Sequence, residues 1–281
     1  MLQKGDSWPK ISIIIPLYNQ AVYIEETIRS ALLQDYPNSE IFVINDSSTD
    51  GSRAVAAKYL PWITLIDRPR GSQANALNFG FRRAAGDLIA WQNSDDLFGE
   101  GSLAAGAIAS MNNGNSSIFH GTTKCFWDFN SNGPYEVVVC EEFSEEAFLD
   151  RMCIMNQSML FRRQIFENGH FLREDMRYVF DQEFFWRLSV NGYIFQLVPE
   201  LIGYFRWHRQ SITFSPANII AADRELFRMQ RELLRDVRLR ADMRRKLRHK
   251  MWNSLFAAFR RCRRNIPYKI VPEMFVPIRS L

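Results

Sequence analysis

The 281-residue chain has no apolar run of about 18 residues or more, so nothing in it predicts a transmembrane helix. Its opening stretch, MLQKGDSWPK, lacks the apolar core of a secretory leader. The four cysteines, Cys125, Cys140, Cys153 and Cys262, form no C-x-x-C pair, and free thiols in a reducing cytoplasm are expected. Neither G-x-G-x-x-G nor G-x-x-x-x-G-K-S/T occurs, which removes the dinucleotide fingerprint and the P-loop. Any phosphate must then be handled by a metal and by scattered donors. No internal repeat or low-complexity segment is present.

What is there describes a globular protein. The chain is 47% hydrophobic and 14% aromatic, and long enough for one large α/β domain or two small ones. The net charge of +4 conceals an asymmetry: residues 216–265 carry 15 basic against 5 acidic side chains, whereas the first 215 carry 18 against 25. An acidic body precedes a basic tail.

The first half alternates strand and helix. ISIII (residues 11–15, closed by Pro16), IFVI (41–44), WITLI (62–66) and LIAW (88–91) read as buried strands. Helical spacing occupies 21–33, 53–59 and 72–85 between them. This rhythm predicts a doubly wound, mostly parallel sheet. In such sheets ligands bind beyond the carboxyl ends of the strands. The polar turns PLYNQ, NDSSTD and QNSDD all fall there, so they are expected to line one cleft.

The second half is less regular. SSIFHGTT and YEVVVC suggest strands around a turn at NSNGP, and SMLFRRQIFENG a strand running into a short helix. DQEFFWRLSVNG reads as a helix opening on Asp181 and stopping at Gly192. YIFQLVP and LIGYFRWH suggest two more strands, and a long helical region follows Pro216.

Several residues invite chemistry, each beside a plainer reading. Asn93-Ser94-Asp95-Asp96 follows a buried strand; hard divalent ions take one or two carboxylates plus substrate phosphates, but an Asx-rich turn explains the same letters. Asp46 ends a strand where a carboxylate can accept from a nucleobase N–H, or simply close a turn. Asp50 reads as a helix cap. Asp181 reads as a cap that the helix dipole keeps ionised, the state a general base requires. His208 is a metal ligand or a polar residue leaving a strand.

Taken together, ISIIIPLYNQAVYIEETIRSALLQDYPNSEIFVINDSSTDGS, GSQANALNFGFRRAAGDLIAWQNSDD, FDQEFFWRL and YFRWH resemble the family 2 glycosyltransferases of the GT-A fold, over about residues 10–213. The resemblance implies a Rossmann-like sheet and an inverting transfer of a sugar from a nucleotide-diphosphate donor, UDP-sugar favoured, to an acceptor hydroxyl. It implies a catalytic unit at residues 1–215, with a donor half at about 10–120 and an acceptor half at 121–215, before a basic helical extension at 216–281. By position, Pro16, Tyr18, Asn19 and Asp46 would contact the nucleoside, with Ser72 and Asn78 in the same pocket and Asn93 and Ser94 beside the donor. Asp95 matches the carboxylate that binds Mn²⁺ or Mg²⁺, His208 a histidine that assists the metal or diphosphate, and Asp181 the catalytic base.

Three positions depart from the family pattern: Asn93 for an acid, Glu100 for a proline, and HGTT (120–123) where an acidic residue is common. The implied setting is bacterial cell-surface polysaccharide or glycolipid assembly in the cytoplasm, with a saccharide or lipid-linked acceptor. Two other classes remain open, a nucleotidyltransferase and a decayed nucleotide-sugar binder. PLYNQ stands where the first would carry a Gly-rich loop, and intact Asp95 and Asp181 weigh against the second. In the tail, Leu226, Met229, Leu233 and Val237 form one stripe, and Leu247, Met251, Trp252, Leu255, Phe256 and Phe259 lie amid Arg and Lys. Residues 221–264 can lie on an anionic membrane at the inner face of the cell or pack on the body. No nucleic-acid-binding motif accompanies the charge.

Overall fold

The computed structural model describes residues 7–128, 137–151, 153–208, 211 and 216–264. Its first half is a parallel α/β unit in the order β1 (Ile11–Leu17), α1 (Ile24–Leu32), β2 (Ser39–Asn45), α2 (Ser52–Ala57), β3 (Thr64–Asp67), α3 (Gln73–Phe81) and β4 (Leu88–Trp91). There follow β5 (Leu97–Phe98), α4 (Ser102–Asn112), β6 (Ile118–Trp127), β7 (Val137–Val139), α5 (Glu145–Asp150), a 3₁₀ turn (Asn156–Ser158), β8 (Met159–Arg162) and α6 (Gln164–Glu167). The chain continues with α7 (Phe180–Val190), β9 (Phe195–Trp207), α8 (Pro216–Leu233) and α9 (Ala241–Arg264).

The strands form one sheet in the order β3-β2-β1-β4-β8-β6-β9-β5, with β7 added to β6. β3, β2, β1 and β4 run parallel; beyond β4 the sheet is mixed, with β8 antiparallel to β4 and β6, and β6 parallel to β9. Alternation along β1 explains the double winding. Ile11, Ile13, Ile15 and Leu17 face a core closed by α1, α2 and α4, whereas Ile14 faces a second core closed by α3, α6 and α7.

β1 runs through Pro16 rather than stopping before it. The carbonyl of Leu17 accepts from Asp46 N of the β2 side, and that of Ile14 from Gln92 N of the β4 side. Pro16 therefore turns its donor-less nitrogen toward β4, whose pairing with β1 ends at Ile14–Trp91, so no ladder bond is lost. Similarly, YIFQLVP and LIGYFRWH are a single strand. Gly121 pairs with Val198 and Thr122 with Leu201, so Pro199 and Glu200 bulge out and the strand continues. The turn at NSNGP lies outside the described residues.

The tail joins the body. Met229 and Leu233 of α8, Leu239, and Met243, Leu247 and Met251 of α9 are buried in the same core as Phe184 and Phe185 of α7. Val237 departs from the expected stripe: α8 ends at Leu233, and Val237 sits exposed in the following turn. Trp252 is exposed as well. The side chains of Leu255, Phe256 and Phe259 lie outside the described residues, as does that of Cys262; Cys125, Cys140 and Cys153 are free thiols. Among the described residues no helix is long and apolar enough to cross a membrane.

Candidate active site

After β1 the chain moves outward to β2 and β3, then returns on the opposite side of β1 as β4. Strand order reverses between β1 and β4, and the crevice above their carboxyl ends is where such sheets bind ligands. A cleft of about 380 Å³ opens there. It is lined by Pro16 near the end of β1, Tyr18 and Gln20 after it, Asp46 after β2, Arg70 to Gln73 at the start of α3, and Asn93 to Asp95 after β4. Glu174 to Arg177, ahead of α7, close another part of the wall.

Asp46 is buried and serves its own loop. Both carboxylate oxygens accept from Gly71 N at 3.0 Å, and Arg68 approaches to 3.6 Å. This ties the end of β2 to the start of α3, where Ser72 caps the helix by accepting from Asn75 N. Tyr18 is partly exposed, with the Arg70 guanidinium 3.3 Å from its ring centre.

Asn19 and Asn78 are not among the cleft-lining residues. Asn19, at φ 51°, staples two loops: its side chain donates to Thr49 Oγ1 and accepts from Thr49 N. Asn78 is buried behind the wall, where its amide accepts from Leu172 N and donates to Leu172 O and Glu174. Set back from the cleft rather than lining it, Asn78 braces the segment that carries Glu174.

The acidic turn divides its labour. Asp96 is fully buried and accepts from Arg206 N at 2.9 Å, Gln157 Nε2 at 2.8 Å and Asn93 Nδ2 at 2.9 Å. Burial first, and the neighbouring Asp95 second, push its carboxyl well above the usual range. Asp95 instead faces the cleft and meets the buried His208, with Oδ2 3.1 Å from Nε2. His208 Nδ1 is buried with no hydrogen-bond partner among the described residues. The Asn93 side-chain oxygen accepts from Trp91 Nε1 and Gln73 Nε2, so with the bond to Asp96 three of its hydrogen-bonding positions are taken although it lines the cleft. Ser94 is buried at the same wall.

Asp181 is the second residue of α7, not its cap; Val179 holds that position with no side-chain bond. Its Oδ1 accepts from Gln182 N at 2.8 Å. Burial raises its carboxyl from 3.8 to about 6 against that hydrogen bond, with Glu225 adding repulsion. Asp181 does not line the cleft, but the preceding Phe180 stacks on Trp91, ring centres 5.7 Å apart, two residues before Asn93. Asp50 is likewise displaced by one from the cap position, which Gly51 takes; its Oδ1 accepts from Ser52 N.

Residues 12–170, more than half of the chain, match the model described as Glycosyl transferase family 2. The chain belongs to this family. An uncharacterized glycosyltransferase of Rickettsia typhi is 42% identical over 90 residues, which cover 32% of this chain and 28% of that protein. The match thus spans under a third of that relative. Among solved structures, S. aureus TarS 1-349 in complex with UDP-GlcNAc superposes with a TM-score of 0.67 at 18% identity, covering 88% of this chain and 73% of that one. The mannosyltransferase PcManGT from Pyrobaculum calidifontis, in complex with GDP-Man and Mn²⁺, gives 0.66 at 19%, covering 88% and 70%. These structures establish the GT-A fold for this glycosyltransferase-family chain.

Two functional supports in this glycosyltransferase fold escaped sequence reasoning. Arg206, in YFRWH, is buried behind the acidic turn, where it donates to Asp95 O at 2.9 Å and pairs with Glu26 and Asp128. A charged residue alternating with aromatics in a strand was its only signal. Gln157 reaches Asp96 from the 3₁₀ turn, which packs so tightly on β9 that a Cβ at Gly203 would lie 2.2 Å from Gln157 O. Neither Gln157 nor Gly203 carries a local signal.

Proposed function

We propose that this family 2 protein is an inverting glycosyltransferase that moves a sugar from a nucleotide-diphosphate donor to an acceptor hydroxyl in a single displacement. One observation carries the reading: at the β1/β4 crevice, Asp95, backed at 3.1 Å by the buried His208, lines the same cleft as Asp46 and Tyr18 from the neighbouring strands. That arrangement supports a reading in which nucleoside and diphosphate bind along one groove.

The residues fit a divalent ion. Among the described residues no group of three or more His, Cys, Asp and Glu surrounds a metal position. Ions that dehydrate reluctantly need fewer, taking one or two protein ligands and completing their shell with substrate phosphates and water. A carboxylate with an imidazole suits Mn²⁺ better than Mg²⁺, which prefers oxygen alone. Asp95 and His208 would hold the ion, which supplies positive charge to the leaving diphosphate. PcManGT with GDP-Man and Mn²⁺ supports that assignment, and TarS with UDP-GlcNAc supports a UDP-sugar donor.

The protein's own groups supply the rest. Pro16, Tyr18 and Asp46 bind the nucleoside, Asp46 taking the base N–H, with Ser72, Asn93 and Ser94 beside the donor. Asp181 takes the proton of the acceptor hydroxyl as its oxygen attacks the anomeric carbon. A carboxyl near pKa 6 is a stronger base than an ordinary aspartate yet remains mostly ionised at neutral pH. Inversion follows from one base and no covalent intermediate. Residues 1–215 act as the catalytic unit and 216–281 as an extension, of which Met229, Leu233, Leu239, Met243, Leu247 and Met251 pack on it. The family resemblance supports a saccharide or lipid-linked acceptor in bacterial surface polysaccharide or glycolipid assembly, at the cytoplasmic side of the membrane.

The test is donor hydrolysis by the purified protein across UDP-, GDP- and dTDP-sugars with Mn²⁺ or Mg²⁺. Metal-dependent release of one nucleotide diphosphate, lost in Asp95→Ala, is expected. Folded protein that binds no nucleotide sugar in the presence of metal would sink the reading. Binding without turnover on any acceptor would instead favour a decayed binder.

A further inference from the structure

Helix α8 has two working faces. Leu226, Met229 and Leu233 pack toward the core, while Asn218, Glu225, Arg228 and Glu232 fall within an arc of about 80° at the α-helical repeat. All four polar residues bind one short segment, residues 173–179. Glu232 pairs with Arg173 and Arg228 with Asp175, and Asn218 Oδ1 accepts from the Tyr178 hydroxyl at 3.2 Å. The Glu225 carboxylate accepts from three successive backbone donors, Arg177 N at 2.8 Å, Tyr178 N at 2.7 Å and Val179 N at 3.1 Å.

That segment matters on two counts. Its residues Asp175 to Arg177 line the donor cleft, and two residues after Val179 the chain reaches Asp181. The segment has no helix or strand of its own, so its course is set by what holds it from outside. Consecutive N–H groups turned toward one carboxylate form an anion-binding nest, here filled by a side chain 46 residues or more away in sequence. The exposed pairs of Arg228 and Glu232 contribute little by comparison, because water screens them.

We propose that α8 is a strut for the cleft wall and that Glu225, through these three N–H groups, is a positioning residue for Asp181. The inference rests on the reading of Asp181 as the base. A base displaced by about 1 Å can cost on the order of a hundredfold in rate, so a strut at this point acts on turnover rather than on donor affinity.

The test compares Glu225→Gln, Glu225→Asp and Arg228→Met with Asp181→Asn. Amide hydrogen exchange is read at residues 177–179. Hydrolysis kinetics are read with whichever of UDP-N-acetylglucosamine, UDP-glucose or GDP-mannose the native protein cleaves. Gln keeps the size of Glu, but its NH₂ confronts backbone donors. Glu225→Gln is expected to speed exchange at 177–179 and lower kcat, each by about tenfold or more, with donor KM within about twofold. Glu225→Asp should recover part of both, and Arg228→Met should change kcat by less than about twofold.

Unchanged exchange in Glu225→Gln overturns the strut. Faster exchange with unchanged kcat, while Asp181→Asn is inactive, overturns the positioning role. So does a joint change of kcat, KM and melting temperature, which marks a general loss of structure. If Asp181→Asn keeps the native rate, the base assignment has failed instead, and the exchange data still decide the strut.

Discussion

Asn93 donates its side-chain amide to the buried carboxylate of Asp96 at 2.9 Å, a bond that an aspartate at the same position could not make when ionised. The departure from an acidic residue at this position therefore has a structural reason. Asp96 spends its oxygens on Asn93, Gln157 and Arg206, and so fastens the β4 turn to the 3₁₀ turn and to β9. Asp95 is left to face the cleft.

Asn93→Asp is expected to destabilise the protein rather than improve its metal site. It would remove a donor to a buried carboxylate and add a third acid beside Asp95 and Asp96, a loss on the order of 2–4 kcal/mol. Chemical unfolding at pH 7.5 measures this. Native-like stability together with tighter Mn²⁺ binding would show that the amide has no such role.

Asp95 and His208 should differ in what their loss does to the ion. Asp95→Ala is expected to abolish Mn²⁺-dependent binding of UDP. His208→Ala should weaken it by roughly 10- to 100-fold, because Asp95 and the diphosphate oxygens would still hold the ion. Calorimetric titration of UDP with and without Mn²⁺ distinguishes these outcomes. Equal UDP affinity in all three proteins would remove the metal from the proposal.

Much of this frame was legible locally. LIAW spans β4 as expected, and the turns after β1, β2 and β4 do meet at one cleft, because strand periodicity and parallel topology decide where carboxyl ends lie. What stayed hidden depends on pairings far apart in the chain. Nothing near Asn78 shows that its amide will be taken by Leu172, and nothing near Gln157 points to Asp96. Pro199 looked like a strand end because a bulge that absorbs it is set by the partner strand β6. Asp181 resembled a cap because Asp at a helix start usually is one. Here the N–H groups just before the helix are satisfied by Glu225 from the tail.

The tail's buried stripe also changes the expected mode of membrane contact. With Met243, Leu247 and Met251 in the core, the described part of α9 offers lipid its exposed Arg245, Arg248 and His249 together with Trp252, not a continuous apolar face. Any association with anionic membranes is therefore expected to be electrostatic. Co-sedimentation with phosphatidylglycerol vesicles should occur at roughly 0.05 M salt and be lost by about 0.5 M, where the Debye length falls to a few ångströms. Salt-resistant binding would instead require insertion by another part of the chain.

The raised carboxyl of Asp181 makes linked predictions for activity and stability. Its pKa in the folded protein is about 6 against 3.8 for the free side chain, and burial is the first cause. Below pH 6 the proposed base becomes protonated, so kcat/KM should fall on the acid side with an apparent pKa near 6. For stability the sign is opposite to that of a salt-bridged aspartate. Between pH 4 and 6 the folded state binds the proton that the unfolded chain has released, so stability declines as pH rises through this window. Above it, keeping the ionised group in place costs about 1–3 kcal/mol. Asp181→Asn, expected to lose transfer if Asp181 is the base, should therefore be more stable than the native protein at pH 7.5 by that amount, and the gain should shrink toward pH 4. Urea unfolding of both proteins at the two pH values measures it. A variant no more stable at pH 7.5 would show that Asp181 is better solvated than its burial implies, and would weaken its case as a base tuned for neutral pH.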